Sequence, residues 1–193
     1  MINKKIIFIH IPKTAGTSII KYCQNNFSIY DGWDIKVKLL EKFNTDSSYI
    51  NTHDFTKTND IEKLSSYNKF TVVRNPYDRM VSWYFYITLF DKDKITKTFK
   101  EWIIDPLDND FTPKEIDEKD FNSQCSFVDD TTNIIKYENL NEELSNFFGK
   151  KIILPIKNKT NHKHYLDYYD QETLDIVYKK YKKDFKKFNY KKI

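Results

Sequence analysis

The chain has 193 residues, of which 39% are hydrophobic and 17% aromatic, with a mean hydropathy of −0.71 and a formal net charge of +4. This composition suits one packed domain and excludes a largely disordered chain, because the apolar fraction suffices for a core. No apolar run approaches the roughly 18 residues of a membrane span, and two cysteines make neither a disulfide framework nor a metal cluster. We therefore expect a reducing, cytoplasmic location, and the mild charge argues against nucleic acid as a partner.

Strands and helices are predicted in alternation along the chain. Short apolar runs bounded by turn residues predict strands, and apolar residues at helical spacing predict helices. The predicted strands are residues 4–11, 47–55, 68–76, 132–137 and 150–155. The predicted helices are residues 17–27, 35–43, 60–67, 76–90, 96–104, 138–148 and 170–188. This alternation is typical of a single α/β domain over 1–193, with a central, mostly parallel sheet flanked by helices.

Residues 91–130 differ in composition from the rest of the chain. They hold 12 acidic residues against 6 lysines, and they are polar and irregular outside one predicted helix. We interpret them as an acidic insertion that forms a lid or part of an acceptor region.

The sequence IPKTAGTS, residues 11–18, follows the first predicted strand and opens the first predicted helix. Such a junction directs backbone N–H groups and the positive end of the helix dipole at one place. The residues that add charge, hydroxyl donors or close backbone approach are Lys13, Thr14, Ala15, Gly16, Thr17 and Ser18. The motif predicts a phosphate- or sulfate-binding turn, with a capped structural turn as the alternative. It is not a Walker A loop, because its lysine precedes its only glycine.

The sequence VVRNPYDRMVSWY, residues 72–84, predicts a second anion site. Arg74 ends a predicted strand, and Ser82 lies two turns into the helix that follows. All but two of the 32 basic residues are lysines, so an arginine at this junction stands out, and its planar fork suits phosphate oxygens. Arg79 faces another direction and is interpreted as structural, paired with a carboxylate. Two anion sites at neighbouring strand ends suit a nucleoside with phosphates at both ends.

HIPKTAGTS and VVRNPYDRMVSWY resemble the two nucleotide-binding motifs of sulfotransferases. The resemblance is closest to carbohydrate sulfotransferases, including those that sulfate uronic acids at the 2-hydroxyl. It implies a P-loop-like α/β fold and 3′-phosphoadenosine 5′-phosphosulfate as the donor. It also implies that residues 13–18 bind the 5′-phosphosulfate, and that Arg74 and Ser82 bind the 3′-phosphate. Segments from residue 134 onward, beginning with IIKYENLNEELSNFF, resemble the family's C-terminal half, where Lys159 and Thr160 would close over the nucleotide.

The resemblance implies in-line transfer of a sulfuryl group to a hydroxyl of a carbohydrate acceptor. A sulfuryl group carries less charge than a phosphoryl group, so we expect no metal ion. Lys13 would stabilise the leaving phosphate oxygen, and His53 in YINTHDF resembles the family's catalytic histidine and is the candidate general base. His10, within the first predicted strand, is expected in the core. Gln124 in FNSQCSF resembles a polar position in relatives.

Three other functions stay open at this stage. The first is a nucleotide or sugar kinase with a degenerate phosphate loop, which would require ATP and Mg²⁺. The second is a non-catalytic nucleotide-binding relative that has lost its acceptor site. The third is binding of a polyanion through the eight lysines of residues 179–193, a pattern that more often marks a solvated helix face.

Overall fold

The computed structural model describes residues 6–26, 68–89, 97–106, 121–155 and 162–193. The predicted elements at 35–43, 47–55 and 60–67 lie outside these residues, as do His53, Lys159 and Thr160. The chain divides into two compact units. The sheet unit comprises residues 1–11, 15–72 and 127–158, and the helical unit comprises residues 12–14, 73–126 and 159–193. The single-domain assignment over 1–193 stays a prediction.

The described elements follow the predicted alternation. In chain order they are β1 (Ile6–Ile9), α1 (Gly16–Asn26), β2 (Asn68–Val73), α2 (Pro76–Ile87), α3 (Phe99–Ile104), β3 (Asn133–Lys136), α4 (Leu140–Phe148) and α5 (Gln171–Lys187). Short 3₁₀ turns occur at Gln124–Phe127, Tyr137–Asn139 and Tyr165–Tyr168.

The strands among the described residues form a three-stranded parallel sheet in the order β1-β2-β3, flanked by helices. β1 and β2 pair in register from Ile6 opposite Asn68 to Ile9 opposite Thr71. The hydroxyl of Thr71 donates to the carbonyl of Ile9 at 2.7 Å. The predicted α/β class with a parallel sheet is confirmed.

The core of the sheet unit joins β2 and β3 to α1 and α4. Its buried members are Ile19, Phe70, Val72, Ile135, Leu144, Phe148 and Ile152. α4 ends at Phe148 and is capped by Gly149, whose φ of +65° is a left-handed conformation that glycine adopts without steric cost. The predicted helix end at residue 148 is therefore confirmed.

Two predictions in the sheet unit are wrong. No strand forms over 150–155, because the N–H of Ile152 donates to the hydroxyl of Ser145 at 2.8 Å instead of entering a ladder. β1 ends at Ile9, so His10 falls in the turn, where it is exposed rather than buried in the core.

The helical unit packs α2, α3 and α5 around one aromatic-rich core. The fully buried aromatic members include Tyr77, Trp102 and Tyr181. The side chain of Asn75 accepts from the N–H of Tyr77, and Pro76 is the first helical residue, so the predicted start of α2 is confirmed. The helix predicted over 170–188 is confirmed as α5, which has a kink at Tyr181, where φ and ψ take the non-helical values of −106° and 22°.

The described part of the acidic insertion contains α3, close to the predicted helix at 96–104, and the 3₁₀ turn at Gln124–Phe127. Its role as a lid stays a prediction. None of the described helices combines the length and apolar character needed to cross a membrane.

Candidate functional site: the turn after β1 and the start of α2

The turn after β1 adopts a conformation that side-chain-bearing residues rarely accept. Lys13 and Ala15 have φ angles of 68° and 69°, in the left-handed region. α1 begins at Gly16, where an added Cβ would collide with the imidazole of His10. Left-handed backbone at non-glycine residues costs about 1–3 kcal/mol each, and such residues cluster at functional sites. The strain in this turn is therefore an argument for a functional site at the first motif, which stays a prediction.

The first motif divides between the two units. Lys13 and Thr14 belong to the helical unit, and Thr14 is fully buried. Ala15, Gly16, Thr17 and Ser18 belong to the sheet unit; the N–H of Ser18 donates to the carbonyl of Ala15 at 3.0 Å. In that unit Ser18 is buried and Thr17 is exposed.

The amine of Lys13 rests against aromatic rings of α2. Its Nζ lies 3.6 Å from the ring centroid of Tyr86 and 5.7 Å from that of Trp83. Burial, and then the positive charge of Arg74, lower the pKa of Lys13 to about 7. Without a ligand, the amine of Lys13 is therefore only about half protonated near neutral pH. A bound anion would raise this pKa and return the amine to its charged form.

Hydrogen bonds to Asp78 and to the main chain of Lys13 orient the guanidinium of Arg74. Its Nε and one terminal nitrogen donate to the two carboxylate oxygens of Asp78 at 2.7 and 2.9 Å. The other terminal nitrogen donates to the carbonyl of Lys13 at 3.2 Å. Asp78 has no predicted role in the sequence, although its i,i+4 spacing from Arg74 is a recognisable signal for such a pair.

The main chain of Arg74 is bound by Gln124. The Gln124 side chain is fully buried; its carbonyl oxygen accepts from the N–H of Arg74 at 2.9 Å, and its amide donates to the carbonyl of Arg74 at 2.8 Å. No sequence pattern links these residues, which lie 50 positions apart.

Arg79 acts on the same turn as Arg74. It is 1% exposed, and it donates to the carbonyls of Pro12 at 3.1 Å and Asn122 at 2.9 Å. These bonds to main-chain carbonyls support the predicted structural role, and the predicted pairing of Arg79 with a carboxylate stays a prediction. Together the only two arginines of the chain hold the carbonyls of residues 12 and 13.

Three further polar residues of the helical unit are placed as follows. Ser82 is 7% exposed on α2, in the helical unit with Arg74. His162 stacks on Phe85 with ring centroids 5.1 Å apart, and the Nδ1 of His164 accepts from the N–H of Leu166 at 3.4 Å. Within the described ranges, no group of three or more acidic, histidine or cysteine residues is arranged to hold a metal ion.

These features define an α/β protein in which two positive residues of the helical unit, Lys13 and Arg74, lie close together, each in the connection that follows a strand. We call this pair the cationic site. The sequence matches the model of the sulfotransferase family over residues 2–120, which is more than half of the chain. The protein belongs to the sulfotransferase family and is a transferase of sulfuryl groups. Comparison with curated proteins gives no match, and comparison with solved structures gives none either.

Both motifs lie within the matched residues, whereas residues 121–193 lie beyond them. The likeness of the C-terminal half to the family, and with it the role of Lys159 and Thr160, stays a prediction.

Proposed function

We propose that the protein moves the sulfuryl group of 3′-phosphoadenosine 5′-phosphosulfate to a hydroxyl of a carbohydrate acceptor. One observation carries the proposal: Arg74 and Lys13, one from each motif, lie close together. Arg74 donates to the carbonyl of Lys13, and its charge contributes to the lowered pKa of the Lys13 amine. Two positive groups held this close favour a ligand that brings negative charge to both.

The two motifs divide the nucleotide between them in this proposal. Residues 13–18 bind the 5′-phosphosulfate, and Arg74 with Ser82 binds the 3′-phosphate. Lys13 regains a full positive charge beside the anion and stabilises the charge that develops on the leaving phosphate oxygen. The chain thus acts mainly by positioning and by charge stabilisation, as expected for in-line transfer.

His53 is the proposed general base that takes the proton of the attacking hydroxyl. Support for this role is its position in YINTHDF and the resemblance to the family. Replacing it in His53→Ala should lower turnover by roughly 10²–10⁴-fold and leave the affinity for the nucleotide unchanged. Turnover at the level of the unmodified chain in that variant would exclude His53 as the base.

The partner in this proposal is a glycan rather than nucleic acid. Support for a glycan comes from the resemblance of both motifs to carbohydrate sulfotransferases. Transfer of label from the donor to a panel of polysaccharides would identify the acceptor.

Thermal unfolding with adenosine 3′,5′-bisphosphate tests the donor site. Ligand at 100 times its Kd stabilises a protein by about 2.7 kcal/mol, or roughly 5–10 °C for a chain of this length. The rise should persist in EDTA and should be largely lost in Lys13→Met. Lys21→Met, which removes an exposed lysine of α1, is the matched control and should keep it.

ATP with Mg²⁺ is the comparison that addresses the kinase alternative. A rise with ATP and Mg²⁺ but not with the bisphosphate would overturn the sulfotransferase proposal for this site. A rise with the bisphosphate, without turnover on any acceptor, would favour the non-catalytic relative.

A further inference from the structure

We infer that Gln124 is a positioning residue for Arg74 and so determines how strongly the protein recognises the 3′-phosphate of its nucleotide. This inference rests on the proposed function, in which Arg74 binds that phosphate. Gln124 lies outside the residues that match the sulfotransferase family, and it belongs with Arg74 to the helical unit.

Arg74 lies between two regular elements, after β2 ends at Val73 and before α2 begins at Pro76. The two Gln124 bonds, at 2.9 and 2.8 Å, reach the N–H and the carbonyl of this one residue, much as a neighbouring strand would. A side chain with both a donor and an acceptor is needed for this, and a fully buried amide of this length provides both.

Gln124 is itself held by a buried carboxylate on α5. Asp184 is fully buried, and it accepts from the N–H of Gln124 at 2.8 Å, the N–H of Cys125 at 2.9 Å and the hydroxyl of Ser123 at 2.5 Å. A buried carboxylate is costly unless donors surround it. Three donors from consecutive residues meet this need and fix the position of the 3₁₀ turn that carries Gln124.

The bonds from Gln124 to the main chain of Arg74 complement the contacts of its guanidinium group. Asp78 and the carbonyl of Lys13 orient the guanidinium, whereas Gln124 fixes the backbone from which the side chain extends. Displacement of that backbone would move the guanidinium even with Asp78 unchanged. Because productive contacts tolerate little displacement, the interaction with the 3′-phosphate should weaken first.

The test compares two nucleotides that differ only in the 3′-phosphate. The Kd of adenosine 3′,5′-bisphosphate and of adenosine 5′-monophosphate is measured for the unmodified chain, Gln124→Met, Arg74→Met and Thr173→Val. Gln124→Met keeps the length of the side chain and removes both the oxygen that accepts from Arg74 and the NH₂ group that donates to it. Thr173→Val is the matched control, because it removes a fully buried hydroxyl that bonds Asp170 at the start of α5.

We expect the unmodified chain to prefer the bisphosphate. Gln124→Met should reduce that preference by about tenfold, towards the value of Arg74→Met, with the Kd of the monophosphate unchanged. Thr173→Val should lower the melting temperature but keep the preference. Gln124→Glu keeps the acceptor for the N–H of Arg74 and sets an oxygen against its carbonyl, so it should also lose preference if Gln124→Met does not fold.

Every other outcome overturns the inference, and one of them overturns the proposed function as well. Full preference in both Gln124 variants would overturn the inference and leave the proposed function intact, since Gln124 would then be merely structural. Equal weakening of both nucleotides would overturn it as well. No preference in the unmodified chain would overturn the proposed function and the inference with it.

Discussion

At the residue scale, Lys13 combines a strained backbone with an amine whose protonated form is destabilised by its surroundings. Its pKa in the folded chain is about 7, below the ordinary value of 10.5, because of burial and the charge of Arg74. The unfolded chain therefore binds more protons between these two pH values, and stability rises with pH across that window. Below pH 7 the charged amine opposes folding, which is consistent with a residue placed for binding rather than for stability.

Removal of this charge should stabilise the free protein. We predict that Lys13→Met raises the melting temperature at pH 6 and that the gain shrinks as the pH approaches 10. A relieved penalty of only about 1 kcal/mol corresponds to roughly 2–4 °C for a chain of this size. An equal gain at both pH values would show that the charge of Lys13 is not its cause.

The same amine should make nucleotide binding depend on pH. An anionic ligand binds the protonated form, so the Kd of the bisphosphate should increase above pH 7, by up to about tenfold for each pH unit. Titration calorimetry at pH 6.5, 7.5 and 8.5 should show proton uptake on binding at the two higher values. Lys13→Met should bind weakly with a flat profile; a steep profile in this variant would assign the effect to another group.

The pair between Arg74 and Asp78 should contribute to stability as well as to orientation. Both side chains are mostly buried, and two charge-assisted hydrogen bonds join them. We predict that Asp78→Asn lowers the free energy of unfolding by about 1.5–3 kcal/mol, measured by urea denaturation. Asp175→Asn is the control, because Asp175 pairs with Lys192 at the exposed surface and its loss should change stability little. Equal effects of the two substitutions would contradict this account.

At the element scale, the ends of the helices are determined by local residues. Asn75 and Pro76 begin α2, a capping box of Thr98 and Glu101 begins α3, and Asp170 with Thr173 begins α5. Each of these capping signals involves residues at most three or four positions apart, so the signals can be recognised in the sequence.

Gly149 shows the same principle at a helix end. An added Cβ there would meet nothing within 4 Å, so only the left-handed backbone opposes a side chain. We predict that Gly149→Ala destabilises the protein by about 1 kcal/mol, and that Gly149→Asn costs less because asparagine tolerates this conformation. Thermal unfolding of both variants checks this, and an alanine variant as stable as the unmodified chain would refute it.

At the scale of the whole molecule, acid stability should depend on Asp129 in the sheet unit. Burial alone would raise its pKa, but hydrogen bonds from Lys69, Thr132 and Thr131 outweigh burial and hold the pKa well below the ordinary 3.8. The stability that this carboxylate contributes is therefore present above about pH 4 and is lost as the pH falls below that value.

We predict that Asp129→Asn flattens the fall in melting temperature between pH 5 and pH 2. The substitution also lowers stability at pH 7, because Lys69 loses its charged partner. Asp167→Asn, at an exposed position, is the control and should keep the acid dependence of the unmodified chain. A steep acid transition in Asp129→Asn would mean that other carboxylates dominate.

Local sequence was sufficient for most of the described elements and for the family. Apolar spacing predicted β1, α1, β2, α2, β3, α4 and α5, and two contiguous motifs led to the sulfotransferase resemblance that the family match supports. Prediction from local sequence failed where contacts between residues that are not adjacent in the chain determine the structure. The hydroxyl of Ser145 takes the N–H of Ile152 where a strand was expected, and β1 ends one residue before His10.

Only the tertiary structure shows how the cationic site is held. Gln124 binds the main chain of Arg74 across 50 residues, Asp184 holds Gln124 across 60, and burial together with Arg74 lowers the pKa of Lys13. Helices, helix caps and contiguous binding motifs depend on residues that are close together in the chain, so they can be predicted from the order of the residues. Buried hydrogen bonds and shifted pKa values depend on which distant segments pack together and exclude water, and no spacing in the sequence encodes that.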